Sequence, residues 1–302
     1  MLFITQTALE LGFMYAMVSM ALFLSYRVLD IADLTTDGSF VLGAAVSVTL
    51  AAAGHPFLAL LAAMLAGACA GFITAFLQTK LGVPSILAGI ITNTGLYTAN
   101  LMAMGWKSNA SLLKQDTIFT LFRATGIGGD WYELILAGGI AILAAAAMVL
   151  FLNTRLGLSI RATGDNRDMV RASSINPNLT ITVGLCVANA FTALAGAVVA
   201  QMQKSADING GTGIVVVGLA CLIIGETIVG RGGMLRGMIA VITGSIIYRF
   251  IYAVALKTQI VPIDCLKALT ALIVALAIAA PTIKNWVALQ RRKGVERRSR
   301  NA

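Results

Sequence analysis

Three aspartates, Asp30, Asp33 and Asp37, fall in the polar stretch Tyr26–Phe40 between two apolar runs. A carboxylate held deep in lipid costs roughly 2.5–3.5 kcal/mol on insertion scales and needs a reason to be there. Thr36-Asp37-Gly38-Ser39 is a helix N-cap cluster. A short helix starting within a membrane would aim its free N–H groups at a cavity, as discontinuous transporter helices do. The same residues also fit a plain cytoplasmic loop carrying three solvated aspartates, and both readings stand. A second polar segment, Asn153–Asn178, holds Arg155, Arg161, Arg167 and Arg171. Gly164-Asp165-Asn166 reads there as a helix start and Asn176-Pro177 as a stop. The spacing predicts a two-turn helix over Asp165–Ser173, with Met169, Val170 and Ala172 among Arg167, Asp168 and Arg171. A helix this short is unstable alone in water and needs a surface to hold it. A third segment, Gly225–Gly233, has four glycines with Glu226 and Arg231. It reads as a tight inter-helix turn in which Glu226 and Arg231 pair at the membrane boundary.

No phosphate loop (GxxxxGK[ST]) or dinucleotide fingerprint occurs in the chain. Nor do the motifs assemble a nucleophile–base pair, a metal cluster or a hydrolytic carboxylate pair. The chemistry on offer is that of moving a solute, with no cofactor on this chain.

The elements that must position these residues follow from composition. Of 302 residues, 58% are hydrophobic and 12% charged, and the mean hydropathy is +0.87. An ordinary soluble domain carries about 25% charged residues, so this chain cannot coat a folded surface in water. A soluble enzyme, a nucleic-acid binder and a disordered protein are disfavoured together. Apolar runs cover about 7–29, 39–53, 56–77, 84–104, 131–152, 179–201, 212–229, 234–254 and 261–280. A span takes about 20 apolar residues, so the 39–53 run is too short to cross alone. The first run has neither a basic lead-in nor a small-residue cleavage site, and reads as a retained span.

Lys and Arg set the orientation. The tail (Lys284, Arg291, Arg292, Lys293, Arg297, Arg298, Arg300) and the 153–178 segment both belong in the cytoplasm, with Arg27, Lys80, Arg231 and Arg236 on the same side. The N-terminus and the loop at about 105–130 then fall outside, although that loop holds Lys107, Lys114 and Arg123. Gly67 and Gly71, with Ala66 and Ala70, and Ala193 with Ala197, have the small-xxx-small spacing that lets helices approach closely in lipid. This predicts packing within the bundle. Cys69, Cys186, Cys221 and Cys265 lie in apolar runs and read as small core residues, and His55 reads as a loop residue.

SYRVLDIADLTTDGSFVLGA, TRLGLSIRATGDNRDMVRASSINPN followed by ANAFTALAGAVVA, and GLACLIIGETIVGRGGMLRGMIAVITGSII together resemble the permease subunit of ABC importers of the branched-chain amino acid/ribose superfamily. Within it, DIADLTTDGSF is most similar to the subgroup of tryptophan/tyrosine importers. The resemblance implies an all-α polytopic membrane protein with about eight to nine transmembrane helices, some broken or re-entrant, the N-terminus outside and the C-terminus cytoplasmic. Residues 1–283 would form one permease domain with a coupling loop at about 153–178, and 284–302 a basic tail. Two copies would form the pore and bind two ATPase subunits, which hold the ATP. An extracytoplasmic binding protein or lipoprotein would deliver a small solute at the bacterial inner membrane. Asp165, Asn166, Arg167, Asp168, Met169 and Arg171 would couple to the ATPase, and Asp37, Ser39, Phe40 and Asn93 would line the pathway. The alternative is an ion-coupled secondary transporter acting alone. Such carriers bear ionisable groups deep within spans, whereas here the later spans are nearly charge-free and the acids sit near predicted ends. A channel would need a filter motif, and none is evident.

Overall fold

The computed structural model describes residues 2–257 apart from 114, 127, 128 and 231, together with 271, 272, 275 and 279. Apart from those last positions, the predicted run 261–280 lies outside the described residues, as do the 284–302 tail and Arg231. The described chain is mostly helical, in agreement with the all-α reading, with one short two-stranded hairpin-like pairing. α1 (Leu2–Leu22) runs on into a π-helical turn, Phe23–Val28. α2 (Thr36–Ala52), α3 (Pro56–Thr79) and α4 (Ser85–Ala103) follow. Next come a short strand β1 (Asn109–Ser111), α5 (Ile118–Ala124), α6 (Tyr132–Leu152), α7 (Arg155–Asp165), α8 (Arg167–Ala172) and α9 (Pro177–Gln203). β2 (Ser205–Asp207), α10 (Ile214–Val229) and α11 (Met234–Lys257) complete it.

Five segments are long and apolar enough to cross a bilayer: Thr5–Val28, α3, α6, α9 and α11. Two apolar helices, α2 and α10, are shorter. Each of the first eight apolar runs is a helix.

α9 is the axis of the bundle. It packs against α1, α2 and α3 and is buried over most of its length. Small residues permit this. Gly43 of α2 lies against the Ala193 carbonyl, and Gly196 of α9 against the Phe40 carbonyl. Gly67 of α3 meets Asn189 and Ala193, and Gly71 meets Leu185. The small-residue pattern therefore serves packing within the chain. In lipid no hydrophobic force draws helices together, so close van der Waals approach and hydrogen bonds must do so. The pairing of Ser39 with Asn189 and of Ser47 with Ala197 shows that α2 runs parallel to α9, and the pairing of Gly67 with Asn189 and of Gly71 with Leu185 shows that α3 runs antiparallel to it.

The two ends of the bundle differ. At one, Gly164 of α7 abuts the Val28 carbonyl, the Arg27 Nε lies 3.1 Å from Glu226 Oε1, and the α3–α4 turn shares a hollow with Arg167 and Arg171. At the other, β1 pairs antiparallel with β2 through Asn109↔Asp207 and Ser111↔Ser205. There buried Gln201 donates to the Pro56 carbonyl (2.9 Å) and to Ser47 Oγ (3.0 Å), and accepts from the Ile118 N–H (2.9 Å). The basic residues expected on one side (Arg27, Lys80, Arg155–Arg171, Arg236) thus share the α7–α8 end, and Lys107 and Arg123 belong to the hairpin end.

Candidate translocation site

α1 and α2 are joined by a buried polar knot. Asp33, 3% exposed, accepts from the Thr35 N–H (2.9 Å) and from Asn189 Nδ2 (2.7 Å). Asn189 also accepts from Ser39 Oγ at 2.6 Å. Because Asn189 sits at the middle of α9, Asp33 and the start of α2 lie deep in the bundle. This corrects the expectation that the acids sit near span ends: α2 is a helix that begins halfway through. The N-cap position belongs to Thr35, whose side chain makes no cap bond, and Asp33 closes an Asx-type turn before it.

Asp37 has a different task from the local cap its spacing suggested. Its two carboxylate oxygens accept the N–H groups of Gly213 (3.0 Å) and Val215 (2.9 Å). These belong to the start of α10, whose N-cap Gly213 (φ +83°) has no side-chain cap. A carboxylate at a helix N-terminus gains charge-assisted hydrogen bonds and a favourable dipole, about 1.5–3 kcal/mol per bond to a charged group. The chain from β2 therefore descends to the middle of the bundle before α10 begins, and Gly211 lies against the Asp37 carbonyl with no room for a side chain.

Beside this junction is a cavity of about 330 Å³, lined by Asp37, Gly38, Asn93, Tyr97, Asn100 and Asn209 among others. Of the expected pathway residues, Asp37 and Asn93 line it. Ser39 and Phe40 do not. Ser39 is fully buried on Asn189, and Phe40 is 5% exposed and packs 6.1 Å, centroid to centroid, from the Tyr15 ring. A 100° step per residue turns them toward α9 and α1, away from the cavity. Tyr97 and Asn100, at i+4 and i+7 from the expected Asn93 on one face of α4, are the cavity residues absent from the sequence analysis, and that spacing is the signal for them. Asn100 donates Nδ2 to the Gly38 carbonyl at 3.2 Å, while its Oδ1 is buried with no partner among the described residues. A buried acceptor left unmade costs about 1–3 kcal/mol.

At the other functional surface, the helix expected over Asp165–Ser173 is present as α8, and a further helix, α7, precedes it. α7 ends at Asp165, and Asn166 (φ −159°) breaks the chain and caps α8 by accepting from the N–H groups of Asp168 and Met169, both at 3.0 Å. Asp165 thus belongs to α7 and lines a hollow with Arg27, Arg161 and Glu226. α7 is fixed to the body by buried Ile160 and by Thr163 Oγ1, 2.7 Å from Thr180 Oγ1. α8 is anchored through Val170, 1% exposed, and turns Met169, 54% exposed, outward with Arg167, Asp168 and Arg171. The Arg171–Asp168 contact is 3.9 Å and exposed, so it contributes little.

Glu226 pairs with Arg27 across the bundle; the other expected partner, Arg231, lies outside the described residues. One cation escaped notice. Arg249 lies two-thirds of the way along α11, its guanidinium carbon 3.5 Å from the Tyr15 ring centroid and 5.8 Å from that of Tyr252. The later spans are therefore not free of charge.

The comparisons with known proteins agree with this architecture. Residues 4–280 match the family model described as branched-chain amino acid transport system / permease component. The chain belongs to that family of ABC-importer permeases. It is 32% identical over 260 residues, 86% of this chain and 85% of the relative, to the tyrosine transport system permease protein of Clostridioides difficile. It is 33% identical over 263 residues to the uncharacterized protein RP368 of Rickettsia prowazekii, covering 85% of this chain and 91% of the relative. A more distant match is the autoinducer 2 import system permease protein LsrC of Escherichia coli O9:H4, 31% identical over 181 residues, 58% of this chain and 50% of the relative. No solved structure matches. The chain is thus an integral membrane protein and a transport component for small solutes, of the importer subgroup that includes the tyrosine permease.

Proposed function

We propose that the chain is the pore-forming subunit of an ATP-driven importer in a bacterial inner membrane, working as a homodimer with two ATPase subunits and an extracytoplasmic binding protein. The observation that carries this is α8. A two-turn helix has no stability of its own, and here Val170 pins it while Met169, Arg167 and Arg171 project outward. That is the stance of an element presented to a partner, at the end of the bundle where the basic residues gather and which the positive-inside rule assigns to the cytoplasm. The N-terminus then lies outside, the C-terminus inside, and α2 and α10 are shorter helices whose N-terminal ends meet at mid-membrane, within a total of eight to nine spanning or re-entrant segments. The solute passes the Asn93–Tyr97–Asn100 cavity. The tyrosine permease relative supports an amino acid as cargo, an aromatic one in particular.

The purified chain is expected to hydrolyse no ATP, and transport to require a co-purified ATPase. Uptake driven by an ion gradient without an ATPase would overturn the reading. Reversing charge in Arg167→Glu/Arg171→Glu is expected to abolish stimulation of the ATPase while leaving the protein folded; unchanged coupling would remove α8 from its role. A self-sufficient ion-coupled carrier draws on the depth of Asp33 and Asp37. Against it, each of these carboxylates is already engaged by donors of the protein itself.

A further inference from the structure

Asp37 is the natural candidate to receive a cationic or N–H-bearing group, since it is the one carboxylate on the mid-bundle cavity. The geometry removes it from that task, because both of its oxygens hold the start of α10. Thr94, on the same wall, donates its hydroxyl to the Ile90 carbonyl at 2.9 Å. Asn100 remains. It is 2% exposed, and its Nδ2–H···O=C bond to Gly38 fixes which way round the amide lies, because a carbonyl can only accept. The other half of the amide, Oδ1, is therefore presented as an acceptor, and it is buried without a partner among the described residues. Gly38 makes the arrangement possible. A methyl there would sit 2.5 Å from Asn93 Oδ1 and 3.0 Å from the Leu96 side chain, closing the floor of the cavity. Tyr97, 52% exposed, supplies an aromatic wall one turn below Asn100.

We infer that Asn100 reads the solute in transit: its Oδ1 accepts a hydrogen bond from a primary ammonium or other N–H group, while Tyr97 faces the apolar or aromatic body of the same molecule. This rests on the importer reading above and adds to it the chemical class of cargo and the group that recognises it. A neutral amide suits a transit site. It satisfies an ammonium without forming the tight ion pair that a carboxylate would, so the solute is recognised and then released. A site built around a hydrogen bond rejects the analogue that lacks the donor, because the protein's polar atom is then left unpaired.

The test reconstitutes the wild-type chain, Asn100→Leu and Asn100→Ser with the ATPase and binding protein in proteoliposomes. Accumulation of radiolabelled L-tyrosine and of 3-(4-hydroxyphenyl)propionate (the same ring without the amine) is measured alongside ATP turnover. Wild type is expected to favour tyrosine strongly. The Leu variant should move about tenfold less tyrosine per ATP hydrolysed. The Ser variant keeps an oxygen acceptor and should hold an intermediate ratio, which preserves the test if Asn100→Leu fails to fold. Equal tyrosine-to-ATP ratios across wild type and the folded variants would overturn the role of Asn100 and leave the importer reading intact. Wild-type vesicles that accumulate neither probe nor any other amino acid, with an active ATPase present, would overturn the cargo reading and this inference with it.

Discussion

α3 and the second half of α4 form two sides of one hairpin, and both turn residues away from the bundle. What they show is opposite. α3 exposes Phe57, Leu58, Leu61, Leu65, Phe72 and Phe76, a face suited to hydrocarbon. From Asn93 onward α4 exposes, besides Ala99 and Met102, the residues Thr94, Gly95, Tyr97 and Thr98, of which Thr94 and Tyr97 line the cavity. In a lipid solvent a polar stripe on an outward face has no reason to exist unless water, a solute or another protein surface meets it. Exposure in a single chain is thus two different environments, and the side chains distinguish them.

The sharpest way to break this comparison is to place the same charge on both faces. Leu65→Arg sits mid-helix on α3 and carries an insertion cost of about 2.5–3.5 kcal/mol. Its level in the membrane fraction, read by immunoblot, should fall more than tenfold. Thr94→Arg should reach the membrane at near wild-type level and block transport. Equal loss in the two variants would show that α4 faces lipid as well. The inner face of α3 comes next. Gly67→Val pushes a side chain into Asn189 and Ala193 and should destabilise the fold by about 1–3 kcal/mol, seen as a lower Tm in detergent. A Tm equal to that of wild type would mean the α3–α9 contact is looser than described.

Asp37→Asn keeps the shape and removes the charge from the α10 cap. A loss of about 1–2 kcal/mol is expected, with faster hydrogen exchange confined to the first turn of α10. Uniform exchange across the bundle would argue against a local cap. The smallest effect belongs to Arg27→Ala. The Arg27–Glu226 pair is partly exposed on the arginine side, so its removal should cost under about 1 kcal/mol, and a larger shift in Tm would show that this end is more enclosed than the structure indicates.

Apolar run length located the eight apolar helices among the described residues, because lipid leaves a chain few other ways to satisfy its backbone. The small-residue spacing in α3 and α9 likewise named the surfaces that touch. Partners distant in sequence were not legible. Asp37 bonds to Gly213 and Val215, and Glu226 to Arg27. From sequence Asp37 reads as a local cap and Arg27 is not linked to Glu226, since nothing in a run of residues says which helix end will arrive beside it. Asn93 is legible in the sequence as a pathway residue, whereas Tyr97 and Asn100 on the same face are hidden by the apolar average of α4 around them. The break at Asn166 was visible as a cap residue, but the helix before it was read as loop because α7 is amphipathic and polar on balance.

The clasp between Asp37 and α10 constrains what can power the machine. A carboxylate that loaded and unloaded a proton on every cycle would surrender a lone pair each time, and the half-helix hanging from it would come unhooked once per turnover. A joint of this kind favours a motor bolted on from outside, pushing the bundle mechanically, over a current of protons running through the joint itself.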